Sequence, residues 1–363
     1  AEIMSAKHVK PDFSKSQAAD ITRRLFGFTP IEMGSLPSYM DQNFYVATAE
    51  GGKYVLKVFN LKDSENPSLI EAQMWAMSFL LQNGIPVPTS VPTASGQITS
   101  LEEAETDFGC GCQKYLVALL TFLPGTTISK VPSTPQLLYE AGETAARMDK
   151  ILLNFQHPYR SELQRDQFIW SLSSIPNLEG YLHVVDGEPL KHVVKAVIHQ
   201  YKTCVLPKRR LFRSCLIHGD FNDLNVLVQP DDDGHHRISG ILDFGDMHVS
   251  YYIYELAIVI LYMMLEQPNP VEVGGPVLAG WESVLPLNEA EKECLYTLVI
   301  SRLCQSLILA RHSVMLHPDN EEYLMLTSKK GVPLLHLLWE LGKEAVEKVW
   351  FDRAAQYSDE KQL

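Results

Sequence analysis

The length, composition and charge of this chain describe an ordinary folded protein and exclude several classes of protein. It has 363 residues, of which 46% are hydrophobic and 21% charged, so we expect two domains or two lobes around one cleft. Its formal net charge is −13, and its one concentrated basic stretch is Lys208-Arg209-Arg210, which argues against a nucleic-acid partner. The longest apolar run, residues 253–265, contains Glu255 and is too short to span a bilayer, so we expect a buried helix and no membrane partner.

The six cysteines do not form the pattern of a disulfide-rich protein, because they are few in so long a chain. Cys110 and Cys112 could bind a metal or form a redox pair, but no second ligand pair has zinc spacing, so a loop with two free thiols is favoured. The other four stand beside apolar residues and are predicted to be reduced core thiols: Cys204, Cys215, Cys294 and Cys304. This usage favours a reducing, cytoplasmic location.

The N-terminal part is predicted to contain a short helix over residues 18–28 and strands over residues 31–36, 44–49 and 54–59. The loop 37–43 joins the first two strands and is not glycine-rich. Backbone N–H groups at positions such as Ser38 and Asn43 could still bind phosphate oxygens, and a plain hairpin loop is the equal alternative.

Lys57 is a charged residue inside the apolar third strand, Tyr-Val-Leu-Lys-Val-Phe. A lysine in that position faces either water or a buried anion. The next helix is predicted from residue 66 to residue 84, and Glu71 lies in its second turn. Glu71 is either a solvated helix charge or the partner of Lys57.

The later part of the chain has a mainly helical pattern. Residues 97–112 form an insertion without a predicted structure, and a strand over residues 114–122 follows. Residues 119–124 are predicted to be the hinge between an N-terminal lobe (1–123) and a C-terminal lobe (124–363). Further helices are predicted over residues 133–155, 190–205, 250–266 and 288–316, with two more after them.

The most specific pattern lies between residues 216 and 246. Leu216-Ile217 leads into His218-Gly219-Asp220, Asn225 follows five positions after the aspartate, and a second apolar run ends in Asp243-Phe244-Gly245-Asp246. Two short strands would thus bring two aspartates and an asparagine together at their loop ends. This spacing is typical of phosphoryl-transfer enzymes, in which the first aspartate faces the acceptor hydroxyl and the other two residues bind Mg²⁺. A polar turn between two core strands is the alternative.

With this motif in place, the other candidates acquire roles. Lys57 would hold the nucleotide phosphates, Glu71 would orient it, and the backbone of the hinge at Leu120 and Phe122 would bind the purine edge. Arg302 and Arg311, in the otherwise apolar helix 288–316, need partners; a structural ion pair is favoured, and a clamp on a substrate carboxylate is the alternative.

These residues resemble the aminoglycoside phosphotransferase and choline kinase group, whose catalytic loop reads His-Gly-Asp. The resemblance covers about residue 30 to the last helices and implies an α+β fold of the protein-kinase type, with a small N-terminal lobe built on an antiparallel sheet and a larger, mainly helical C-terminal lobe. It also implies Mg²⁺ at Asn225 and Asp243, and a contact of Asp246 with the metal or with substrate ammonium groups. No Ala-Pro-Glu segment follows, so peptide substrates are not expected.

Four longer segments, residues 36–44, 120–125, 239–247 and 273–280, are similar to the hydroxylysine kinase family. That resemblance implies GTP as phosphoryl donor, with ATP as the alternative, and a cationic amino acid with a hydroxyl, 5-hydroxy-L-lysine, as acceptor in lysine breakdown. Two alternatives stay open: a kinase of choline, homoserine or an aminoglycoside-like amine, and a nucleotide-binding pseudokinase. The sequence gives no indication of the oligomeric state.

Overall fold

A computed structural model of the chain describes residues 10–105, 112–265 and 267–362. Within these residues, the N-terminal part is built around an antiparallel sheet of six strands in the order β1-β2-β3-β6-β4, with β5 paired to β6. The strands are β1 (Pro30–Leu36), β2 (Gln42–Thr48), β3 (Lys53–Val58), β4 (Ser90–Val91), β5 (Ser100–Glu105) and β6 (Cys112–Thr121). Three helices accompany them: α1 (Lys15–Phe26), α2 (Leu61–Ser64) and α3 (Pro67–Gln82).

The predicted elements of this part form with small shifts at their ends. Helix α1 begins and ends earlier than expected, because Ser14 caps its first turn through a capping box and Gly27 ends it in a left-handed conformation. The insertion 97–112 contains strand β5, which pairs along its length with β6. Cys110 and the side chain of Cys112 lie outside the described residues.

The C-terminal part is mainly helical, as predicted. Its helices are α4 (Pro135–Leu152), α5 (Leu190–Gln200), α6 (Tyr252–Met264), α7 (Pro270–Glu282), α8 (Glu289–Leu316), α9 (Glu321–Leu324) and α10 (Ser328–Gln362). Helices α4 and α7 cross at Gly142 and Gly280, where a Cβ would collide with the carbonyl oxygens of Val277 and Tyr139. Helix α7 was not predicted, and neither was the 3₁₀ segment Leu172–Val185, because Pro276 and Pro176 stand inside these segments and proline breaks a helical pattern.

Helix α8 is long and apolar enough to cross a membrane by length and composition, but 94% of its apolar window is buried inside the protein. It is the central core helix of the C-terminal part and packs against α6, α10 and the 3₁₀ segment.

Five short strands form the floor of the cleft. They are β7 (Thr126–Thr127), β8 (Ser214–Ile217), β9 (Val226–Pro230), β10 (His236–Ile241) and β11 (His248–Tyr251). Strand β9 lies between β10 and β7, and β8 pairs with β11. The loops β8–β9 and β10–β11 are therefore brought face to face, since each loop joins one strand of the first sheet to one of the second.

Candidate active site

The loop between β8 and β9 carries His218, Asp220 and Asn225, and hydrogen bonds tie it to the loop between β10 and β11. The His218 imidazole Nε2 donates to the carbonyl oxygen of Leu242 over 2.8 Å. The amide of Leu242 donates in return to the carbonyl oxygen of Asn225, also over 2.8 Å. The two sequence motifs of residues 216–246 thus meet at one end of the cleft.

Asp220 is held by two amide side chains. Asn222 Nδ2 donates to its Oδ1 over 3.0 Å, and Asn225 Nδ2 donates to its Oδ2 over 3.2 Å and to its carbonyl oxygen over 3.0 Å. The carboxylate remains 20% exposed, so it can still reach an acceptor hydroxyl. Because Asn225 uses its nitrogen on Asp220, its amide oxygen is left for a metal.

Asp243 has a left-handed backbone with a φ of 59°, which is rare for a residue other than glycine. Its side chain is exposed to the cleft, and one carboxylate oxygen accepts the amide of Gly245 over 3.3 Å. A carboxylate oxygen here and an amide oxygen on Asn225 are hard ligands of the kind that Mg²⁺ prefers. The residues present therefore fit a magnesium ion.

Gly219 is required by the approach of the two loops. Its φ is 85°, and a Cβ at this position would lie 2.7 Å from the carbonyl oxygen of Asp246. Any side chain would push the two loops apart.

The acidic residues of the site influence one another. Burial and the charge of Asp246 raise the pKa of Asp220 well above its usual range, against the opposing effect of Arg302. Burial and the charge of Asp243 raise the pKa of Asp246 to about 7. Such a cluster of carboxylates attracts cations, either a divalent metal or an amine.

Lys57 lies across the cleft from these carboxylates, but its partner differs from the one predicted. Its Nζ lies 3.1 Å from Oδ2 of Asp41, and no ion pair or hydrogen bond joins it to Glu71 among the described residues. Burial lowers the pKa of Lys57, but Asp41 and Asp243 outweigh it and the net shift is upward. The predicted pairing of Glu71 with Lys57 is therefore not formed in this structure, in which Asp41 holds the lysine, and the orienting role of Glu71 stays a prediction.

The loop 37–43 is not a free hairpin tip. Ser38 uses its hydroxyl on the carbonyl oxygen of Asp41, and its own carbonyl oxygen accepts Asn320 Nδ2 over 3.2 Å. The Tyr39 hydroxyl hydrogen-bonds the hydroxyl of Ser313 at the end of α8. The loop thus bridges the cleft, while Asn43, paired with Lys57 in the sheet, has a buried amide oxygen without a described donor.

The two predicted hinge residues have most of their backbone in the sheet. Leu120 pairs with Val55 on one side and Ser90 on the other. The amide of Phe122 donates to the carbonyl oxygen of Lys53 over 3.1 Å. Leu120 is buried among strands, and the Phe122 amide is already used within the protein in this structure. Binding of a purine edge by the backbone of these two residues stays a prediction.

Arg302 is fully buried and its donors are used within the protein. Nε donates to the Tyr262 hydroxyl, and the two terminal nitrogens donate to the carbonyl oxygens of Trp170 and Gly219 and to Gln305. Nη2 also lies 3.7 Å from Oδ1 of Asp220. This arrangement is the structural ion pair, and the alternative of a clamp on a substrate carboxylate is not supported.

Arg311 has a similar structural role further along α8. It lies 3.3 Å from the Glu188 carboxylate and donates to the Leu307 carbonyl oxygen and the Ser328 hydroxyl.

Several functional neighbours were not predicted from the sequence. Asp41 and Tyr39 stand in a loop where no spacing marks them. Arg165 donates to the carbonyl oxygens of Gly245 and Met247 from an irregular segment. Burial, and then the charges of Asp243 and Asp220, raise the pKa of Tyr323 to about 12. Of these neighbours, only Glu255 could have been noticed in the sequence, because it is a charged residue inside an apolar helix.

Comparisons with known proteins identify relatives of this chain. The family model described as phosphotransferase enzyme family matches residues 36–291. A hydroxylysine kinase of Danio rerio is 56% identical over 98% of this chain and 99% of its own length. A hydroxylysine kinase of Mus musculus is 43% identical over 98% of this chain and 97% of its own.

Solved structures with the same fold are more distant in sequence. A microcompartment-associated aminopropanol kinase has a TM-score of 0.66 at 16% identity, covering 89% of this chain and 97% of that one. Amicoumacin kinase hAmiN, in complex with AMP-PNP, Ca²⁺ and Ami, has a TM-score of 0.63 at 16% identity, covering 88% and 93%. The predicted kinase-type α+β fold is confirmed.

Proposed function

Because the chain belongs to the phosphotransferase enzyme family and, within it, to the family of the hydroxylysine kinases, we propose that it transfers the γ-phosphate of GTP to the hydroxyl of 5-hydroxy-L-lysine. It is a phosphotransferase with a hydroxyl group as acceptor. The observation that carries the assignment to this site is Asp220, held by Asn222 and Asn225 beside Asp243 and Asp246.

The proposed mechanism is mainly positioning, because phosphoryl transfer passes through a loose transition state. Asp220 accepts a hydrogen bond from the acceptor hydroxyl and takes its proton late. Asn225 and Asp243 would hold Mg²⁺, which when bound neutralises charge on the phosphates. Lys57, across the cleft, binds phosphate oxygens. Asp246 lies beside Asp220 and is placed to attract an ammonium group of the acceptor.

Three further parts of the proposal concern the phosphoryl donor, the lobe boundary and the location. GTP is the proposed donor on resemblance, and ATP is the alternative, since amicoumacin kinase is a relative in fold whose structure contains AMP-PNP. The lobe boundary at residues 123 and 124 stays a prediction. A cytoplasmic location is proposed because the four cysteines whose side chains the structure describes are free thiols.

A turnover assay that crosses GTP and ATP with hydroxylated amines tests the proposal. We expect the highest kcat/KM with GTP and 5-hydroxylysine, lower values with homoserine and choline, and no turnover with lysine, which lacks the hydroxyl. A preference for homoserine or choline would replace the acceptor but keep the enzyme class. Binding of GTP and Mg²⁺ without turnover of any amine would favour a pseudokinase.

A further inference from the structure

Two carboxylic acids outside the cleft meet beneath the catalytic loop. Glu255 on α6 accepts the amide of His218 over 2.6 Å and the amide of Gly219 over 3.2 Å. Asp149 lies on α4, which packs against α6, and its Oδ2 is 4.0 Å from the thiol of Cys215 in the strand that leads into this loop. Both side chains are completely buried. The pair therefore stands directly behind the residues that position Asp220.

No cation compensates this pair in the described part of the chain. His218 uses Nδ1 to accept the Asp220 amide and Nε2 to donate to Leu242, which requires the neutral imidazole. Arg213 is bound to Glu291 over 2.8 Å. The other neighbours, Cys215 and Tyr252, have pKa values that burial raises, so they are uncharged at neutral pH. Two buried carboxylates without a cation cannot both be ionised.

The hydrogen bonds decide which acid keeps the proton. Glu255 accepts two backbone N–H groups, which favour its charged form. One oxygen of Asp149 has no described donor, and the other receives only a weak contact from the Cys215 thiol at 4.0 Å. A proton on Asp149 satisfies both groups, because the acid can then donate to Glu255.

We propose that Asp149 is a neutral carboxylic acid that donates a hydrogen bond to Glu255 and, through Glu255, positions the His218–Gly219 backbone and Asp220. Asp149 is a positioning residue and does not touch the substrates. The activity part of this inference rests on the proposed role of Asp220, whereas the structural part does not.

The test compares the full-length wild type with Asp149→Asn and Asp149→Leu. The carboxamide of Asn can donate to Glu255 as the neutral acid does, so Asp149→Asn should keep kcat within about threefold of the wild type. Leu has a similar size but no donor, and kcat should fall about 10- to 100-fold with KM little changed, because the loop shifts while the substrate-binding residues stay. An Asn variant as impaired as the Leu variant would overturn the proposal.

Stability against pH gives a readout that does not depend on the reaction. An aspartate whose pKa is raised by folding binds its proton more tightly in the native state, so the wild type loses stability as pH rises above the unfolded value of about 4. Asp149→Asn removes this loss. The difference in Tm between Asp149→Asn and the wild type should therefore grow between about pH 5 and about pH 8.

Asp232→Asn is the matched control, because Asp232 is exposed in the turn between β9 and β10. Its difference in Tm from the wild type should not grow with pH. The infrared difference spectrum between the wild type and Asp149→Asn at pH 7 should also show the C=O stretch of one protonated carboxylic acid, because the subtraction cancels any band from Asp220 and Asp246. A Tm difference independent of pH, with no such band, would show that Asp149 is ionised and the proposal is wrong. Absence of turnover in the wild type itself, with the Tm and infrared results as expected, would instead count against the proposed function and leave the structural part of the inference standing.

Discussion

The two walls of the cleft are fixed in different ways. The catalytic loop is anchored from below by groups that water does not reach: Glu255 on its amides, and Arg302 on its Gly219 carbonyl oxygen and on Asp220. The loop 37–43 on the opposite wall is held by half-buried hydroxyl and amide contacts to the far end of α8 and to Asn320. One wall is part of the core, and the other is attached to it at the surface.

The difference follows from what each wall must do. The acceptor hydroxyl, Asp220 and the metal ligands need a geometry fixed to a fraction of an ångström, which buried and fully bonded anchors provide. The second wall is the proposed nucleotide side, where a large ligand has to enter and leave, and contacts of about 1 kcal/mol each would allow this. Substitutions on the first wall should therefore lower kcat or stability strongly, and those on the second should have smaller effects, chiefly on nucleotide binding.

The largest effect is expected for Asp220→Asn. Without a carboxylate to accept the proton, turnover should fall about 10²- to 10⁴-fold, or about 3 to 5 kcal/mol in the barrier. The dissociation constant of the nucleotide, measured by calorimetry, should stay near the wild-type value, because Asp220 does not bind the phosphates. Turnover close to that of the wild type would remove Asp220 from the mechanism.

The next largest effect is expected on stability, when Arg302, which anchors the catalytic loop, is replaced. Arg302→Met leaves Asp220 and the carbonyl oxygens of Gly219 and Trp170 without their buried donor, which should lower the free energy of unfolding by about 3 to 5 kcal/mol in a denaturant titration. Arg311→Met is the matched control, with an expected loss of at most about 1 kcal/mol, because its partner Glu188 is 44% exposed.

The same pair of variants separates an anchor from a substrate clamp. If Arg302 positions the loop, kcat falls and the KM of the amine changes little. A large rise in that KM with unchanged stability would restore the clamp that the hydrogen bonds argue against.

The sequence marks the candidate residues of the first wall, whereas it does not mark the partners of Lys57 and Arg302, for a physical reason. His218-Gly219-Asp220, Asn225 and Asp243 have fixed spacings because short strands impose them, so a motif can be read along the chain. The partners of Lys57 and Arg302 are chosen by tertiary packing. Asp41 reaches Lys57 from a loop whose conformation depends on contacts almost 300 residues away, at Ser313 and Asn320.

The roles of the buried acids behind the catalytic loop, Glu255 and Asp149, could not be predicted from the sequence either. In the sequence, Glu255 is recognisable as a charged residue in an apolar run, but that observation served only to argue against a membrane span. Its role depends on the amides of His218 and Gly219, and no periodicity encodes that pairing. Asp149 is less visible still, because one aspartate in an amphipathic helix ordinarily faces water.

A smaller effect should distinguish the two acids that compete for Lys57. Asp41→Asn removes the charge that holds the lysine, so kcat/KM for the nucleotide should fall about tenfold, equivalent to about 1.4 kcal/mol. Glu71→Gln should change it less than about twofold. The reverse order in steady-state kinetics would indicate that Lys57 changes partner from Asp41 to Glu71 when the nucleotide binds, as first predicted.

The smallest effect is expected when the hydrogen bond between Tyr39 of loop 37–43 and Ser313 of α8 is removed. Tyr39→Phe removes the hydroxyl that bonds Ser313, and the loss of one half-buried hydrogen bond is worth about 1 kcal/mol, or about a fivefold rise in the KM of the nucleotide with kcat little changed. Ser313→Ala should give the same change, and the double variant should add almost nothing, because both single variants break one bond. Additive effects in this cycle would mean that the two hydroxyls act separately and that their hydrogen bond does not hold the loop. A lower kcat without a change in the KM of the nucleotide would contradict the proposed difference between the two walls. Loop 37–43 would then position the reacting groups, as the catalytic loop does.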